Sequence, residues 1–279
     1  MTLRPIPEYR AEGELRRRYE DMKSVLQVPW MGVVSMAYAY YQNFYATLWE
    51  GLRPLCESQP FVAACQDLRS FTEIHVAALS PSPITGRLSA AGYSPREIDD
   101  IRAIIEVFSH GNFPYLLLAT LTRHLVEGGE IGGVGPVELF VGHHAPTVHP
   151  PFVLMEPHHA EPSIQALYEE VKVRLGLPFV NTDYRALARW PSYFGLAWGD
   201  LKPWIGTRAH DAIAQKIHER ALVLANALPN PGGLTSRALQ AAAQRDAPHV
   251  EICEMARLFQ WLLPGLVANI AFFRSQLHS

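Results

Sequence analysis

One stretch of this 279-residue chain is written twice, and that duplication limits the possible folds more than any property of the composition. Residues 19–55 lie over residues 168–204 without a gap, at a constant offset of 149. The match keeps Tyr19 with Tyr168, Lys23 with Lys172, Pro29 with Pro178, Trp49 with Trp198, Leu52 with Leu201 and Pro54 with Pro203. Apolar residues carry the pattern: Val34, Tyr38, Tyr41, Tyr45 and Trp49 recur at steps of three and four, the stripe of an amphipathic helix. Leu187, Trp190, Phe194 and Trp198 answer them in the second copy, and aromatic stripes of this kind belong to a core.

The later parts of each copy share a plan as well. Ser94, Pro95 and Glu97 form a capping box with proline at the first helical position, and Ile98, Ile101, Ile105 and Phe108 then fall on one face. Gly111 to Pro114 predicts an interruption, followed by a second helix from Tyr115 to about Val126. The second copy repeats this from about Pro248, with its own break at Pro264 and an offset nearer 150 to 151. Period-two strand patterns are scarce. The expected architecture is all-α, with two tandem helical repeats forming a pseudo-dimer: residues 1–126, a Gly-, Pro- and His-rich linker over 127–162, and residues 163–279.

Composition narrows the partners. Lys and Arg number 24 against 27 Asp and Glu, a formal charge of −3 that lacks the basic excess of nucleic-acid binders. Cys56, Cys65 and Cys253 make an odd, widely spaced set, which predicts no disulfide framework and a cytoplasmic location. The first residues carry Pro and acidic groups where a signal peptide needs an apolar run. The apolar run from Leu258 to Phe273 is broken by Gln260, Pro264 and Asn269, and it reads as a buried helix or helix pair rather than a membrane span. A homodimer is compatible with this composition.

The repeat also exposes a substitution, because Asp183 stands where the first copy has Val34, at the head of an apolar stripe. A carboxylate there has either a chemical role or a place, with Thr182, at a helix N-terminus. Asn112, in HGNFPY, is a second polar candidate in an apolar stretch, with a turn or C-cap as its bland alternative; its counterpart is near Leu263. Trp30 and its counterpart Phe179 read as core plugs, and His75 as a helix residue. Arg16 to Arg18 read as a solvated face. The linker histidines His143, His144, His149, His158 and His159 have no helical spacing to fix a metal, so no metal and no cofactor is expected. The chain contains no GxGxxG, P-loop, GxSxG or HExxH pattern.

YEDMKSVLQVPW (19–30), AAGYSPREIDDIRAIIEVFSHGNFPYLLL (90–118) and DYRALARWP (183–191), with the length and the duplicated plan, resemble the DehI-type (group I) 2-haloacid dehalogenases. That resemblance implies an AhpD-like helical fold with the active site between the repeats. It gives Asp183 the role of a base that activates water without an ester intermediate, and Asn112 the role of positioning that water. Trp30 and Tyr115 match pocket residues, and Thr182 a small polar residue beside the aspartate. Two positions depart: a pocket tyrosine of the family falls on Leu263, and Asn181 occupies the site linked to stereochemical preference.

Displacing halide from a saturated carbon requires a deprotonated water in line behind the C–X bond. The substrate carboxylate then needs N–H donors, for which helix starts such as the one after Trp30 are candidates, whereas Arg185 is expected on the solvated face. The leading expectation is a hydrolase of short 2-haloalkanoic acids. The alternative, favoured by Leu263, is a small-acid or apolar-ligand binding protein of the same fold; a different hydrolysis using the same base is a third.

Overall fold

The computed structural model describes residues 3–132, 137–147 and 150–278, so His149 of the linker lies outside the described residues. Among them the fold is all-α. Its helices are α1 (Gly13–Leu26), α2 (Val33–Tyr38), α3 (Gln42–Cys56), α4 (Gln59–Val76), α5 (Thr85–Ala90) and α6 (Pro95–Val126), then α7 (Pro162–Leu175), α8 (Thr182–Leu187), α9 (Pro191–Leu201), α10 (Arg208–Ala227), α11 (Ser236–Ala243) and α12 (His249–His278). The chain divides into two compact units. The first holds Met1–Ser70, Gly111–Ala145 and Lys216–Pro264; the second holds Phe71–His110, Pro146–Gln215 and Gly265–Ser279.

Within the first unit, α1 ends on Gln27, held in the left-handed region at φ 52°, and Val28 N–H closes back on Lys23 O. Within the second, α7 ends on Gly176 at φ 64°, and Leu177 N–H closes on Lys172 O. Each of these residues lies 149 positions from its equivalent. The same holds for an extended strap ahead of each copy that the sequence reading missed. Ile6 N–H donates to Met36 O and Tyr19 Oη to Ile6 O; in the other unit Met155 N–H donates to Arg185 O and Tyr168 Oη to Met155 O. The last residues of the expected linker therefore take up the strap position.

A polar link recurs at the same spacing. Trp49 Nε1 and Arg53 donate to Asp21 at 2.8 Å, while Trp198 Nε1 and Lys202 donate to Glu170 at 3.1 and 2.7 Å. Burial pushes the Asp21 carboxyl up, but the bonds from Arg53 and Trp49 and the charge of Arg53 hold it below its usual value. Glu170 is held low chiefly by Lys202. Carboxyls depressed on folding contribute stability that is present above the unfolded value, about pH 4, and is lost as pH falls through the lower folded value. In thermal melts between pH 6 and pH 3, Asp21→Asn should therefore lose less stability than the parent chain. Equal losses would remove Asp21 from the acid-labile set.

The expected single stripe helix is two helices in each copy. Tyr41 (ψ 87°) and Trp190 (ψ 80°) leave the helical region and become N-caps of α3 and α9. Pro191 explains the break in the second copy, since its ring clashes with the preceding turn; Gln42 stands there in the first, and the break persists. The stripe residues remain buried in both.

The interruptions expected at Gly111–Pro114 and Pro264 are absent, because α6 and α12 run through both positions unbroken. A proline inside a helix costs about 3 kcal/mol, whereas each fully buried Leu returns about 1.5–3 kcal/mol. Leu116, Leu117, Leu121 and Leu125 around Pro114, and Leu262, Leu263, Leu266 and Val267 around Pro264, are all buried, so packing outweighs the lost hydrogen bond. Helix α12 is long and apolar enough to cross a bilayer, but 78% of its most apolar window is buried inside the protein, which accounts for its composition. The capping box forms as expected: Ser94 N–H donates to Glu97 at 2.9 Å and Glu97 N–H to Ser94 Oγ at 3.3 Å.

Candidate active site

In the second unit the polar candidates gather on α8, a helix of only six residues. Its N-cap is Asn181, with β-region backbone at φ −60° and ψ 154° and no side-chain capping bond. Neither Thr182 nor Asp183 is the cap. Both lie in the first turn and are buried, Asp183 to 2% exposure, in a place where the helix dipole favours a carboxylate. Asn181 is buried as well, and its Oδ1 has no hydrogen-bond partner among the described residues.

Arg185 is not on a solvated face. Its guanidinium reaches Glu156 at 2.6 Å and Thr182 Oγ1 at 3.3 Å, because the strap that ends near Glu156 covers that side of α8. Arg185 thereby fixes Thr182 next to the acid.

In the first unit Trp30 and Tyr115 come together, and Trp30 also meets Gly111, the chain neighbour of Asn112. Tyr115 Oη donates to Trp30 O at 2.7 Å, and the two rings lie 6.0 Å apart at 52°. The indole lies over Gly111, one residue before Asn112: a Cβ there would collide with the Trp30 ring and sit 2.7 Å from Val28. Asn112 is buried inside continuous helix, so it is neither a turn nor a C-cap residue. Trp30 is buried, as the core reading requires. Of the N–H groups after Trp30, that of Met31 is already taken by Glu8 Oε1 at 2.8 Å, which removes it as a carboxylate donor.

The first copy shows what the site positions become without the acid. Gly32 caps α2 with the backbone of Asn181 (φ −62°, ψ 141°), and Val33, Val34 and Ser35 take the places of Thr182, Asp183 and Tyr184. A small apolar cavity remains there, bounded by Met22, Val34, Ser35, Tyr45, Trp49 and Leu118.

Burial pushes the Cys56, Cys65 and Cys253 thiols above the ordinary thiol range, which favours the protonated, weakly nucleophilic form. No three His, Cys, Asp or Glu side chains among the described residues stand together as a metal site. His158 and His159 are exposed and pack ring to ring.

Comparison with known proteins gives the site its context. No protein-family profile matches the chain. It is 48% identical to an (R)-2-haloacid dehalogenase of Rhizobium sp. (strain NHG3) over 84% of its length and 91% of the relative's. It is 38% identical to an (R)-2-haloacid dehalogenase of Pseudomonas putida over 98% and 92%. A configuration-inverting 2-haloacid dehalogenase of Pseudomonas sp. (strain 113) is 26% identical over 83% and 77%. The structure of a D-2-haloacid dehalogenase in complex with L-LA matches with a TM-score of 0.91 and 37% identity, covering 99% of this chain and 96% of that one.

Fold and similarity together define an all-helical hydrolase acting on carbon–halogen bonds. The chain belongs to the 2-haloacid dehalogenase family of the DehI type.

Proposed function

We propose that this protein hydrolyses short (R)-2-haloalkanoic acids to (S)-2-hydroxy acids, with Asp183 as the base. The observation that carries the reading is a carboxylate buried to 2% exposure in the first turn of α8, at a position the first copy fills with Val34. A water oxygen bonds to C2 from behind as the C–X bond breaks; its proton passes to Asp183 and the halide departs with the bonding pair. Asn112 accepts a hydrogen bond from that water, which leaves one lone pair directed at carbon. Trp30, Tyr115 and Thr182 bind the substrate.

Preference for the (R) enantiomer is supported by two (R)-named relatives and by Asn181, whose unpaired Oδ1 stands two residues before the base. Halide release from the separate enantiomers of 2-chloropropionate tests the reading, with (R) preferred by about tenfold or more, the range that steric exclusion of one methyl-sized group supplies. The product should be (S)-lactate. A folded chain that binds short acids saturably yet frees no halide would establish the binding-protein alternative instead.

A further inference from the structure

Behind Asp183, on the far side of its neighbour in the chain, three buried polar side chains form a line within the second unit. Asn269 of α12 donates from Nδ2 to Tyr184 Oη at 3.0 Å, and its Oδ1 faces His210 Nε2, on α10, at 2.9 Å. With the amide in that orientation, Nε2 carries the proton that Oδ1 accepts. Tyr184 and Asn269 are all but fully buried, and His210 is 6% exposed.

Packing alone does not require such a line, since apolar side chains of equal size fill a core without the penalty of burying polar atoms. The first copy makes the comparison internally. Where the acid is Val34, Tyr184 is replaced by Ser35 and His210 by Phe61, and the cavity beside Ser35 is lined by apolar Leu118. Tyr184 occupies the corresponding place in the second copy, stacking on Phe194 at 6.0 Å and 19° and meeting Trp198 edge-on, as the cavity meets Tyr45 and Trp49. The polar line is thus present in the copy that carries the acid and missing from the copy that does not.

We propose that His210, Asn269 and Tyr184 are a positioning chain that fixes α8, and through it the carboxylate of Asp183. A six-residue helix has no stability of its own, so its orientation is set by its anchors. Arg185 and the strap hold one side; Tyr184 holds the other. The proposal rests on Asp183 as the base, and it deepens that reading by naming what aims it.

Tyr184→Phe deletes one oxygen and keeps the ring stack. It should lower kcat about tenfold with KM within about twofold, since small displacements of a positioned group act on rate rather than on binding. Amide hydrogen exchange across 182–187 should rise while α9 and α12 stay protected. Asn269→Leu should do the same, and the double variant should lose no more than either single, because the three side chains act as a unit. His210→Gln, which restores an N–H for Asn269 Oδ1, should keep kcat, whereas His210→Leu should not. Unchanged kcat with unchanged exchange in α8 for Tyr184→Phe would overturn the chain, as would additive losses in the double variant. A parent chain that frees no halide would refute the catalytic reading alone; exchange across α8 would still decide the positioning chain.

Discussion

Asp183→Asn is expected to lower kcat for (R)-2-chloropropionate by at least about 10²-fold, the lower end for a positioned general base. The substitution is nearly isosteric at a buried position, so the helical content should not change and the loss belongs to the missing base. Activity retained within a few-fold would move the role to another group. The same carboxylate can be asked whether it attacks carbon itself. In a single turnover in ¹⁸O-water, direct hydrolysis labels the 2-hydroxy group on the first cycle, whereas an ester on Asp183 delivers an unlabelled carboxylate oxygen first. Unlabelled first-cycle product would make Asp183 a nucleophile and end the direct-water mechanism.

Gly111→Ala should destabilise the protein and weaken substrate binding, the reverse of the usual effect of that exchange in a helix interior. Alanine normally gains up to about 1 kcal/mol there. At this position the added methyl would overlap the Trp30 indole and crowd Val28, and overpacking of this kind costs about 1–3 kcal/mol. Trp30 must then shift beside Asn112, so KM should rise along with the fall in melting temperature. Gly195→Ala, in the middle of α9, is the control: nothing beyond its chain neighbours and its own helix backbone lies within 4 Å of the new Cβ, and this exchange should stabilise. Equal melting temperatures for the two variants would show that Trp30 yields without strain.

What the sequence made legible was local or repeated. The apolar stripes and the Ser94–Glu97 capping box announce themselves within a few residues, and the exchange of Val34 for Asp183 shows by comparison at an offset of 149. The errors arose where tertiary packing overruled a local rule. Pro114 and Pro264 are helix breakers by chemistry, yet the buried leucines around them carry α6 and α12 through. Arg185 departs from the solvated face that its helix period predicts because the strap that covers it comes from residues near 156. The line behind Asp183 was invisible for a similar reason: Asn269 meets Tyr184 across 85 residues and His210 across 59. One trace of it was in view, since the repeat replaces Ser35 by Tyr184 right beside the exchange of Val34 for Asp183.

The interleaving of the two units dictates when each can be completed during synthesis. The first unit needs residues up to Pro264 and the second needs residues up to the end of the chain, although both contain segments from well before residue 111. A ribosome that has released only the amino-terminal half has therefore finished neither, and α6 emerges with its first half belonging to one unit and its second half to the other. Such a nascent chain leaves apolar surface uncovered until the later segments of each unit arrive, the state in which incompletely folded chains are prone to aggregate.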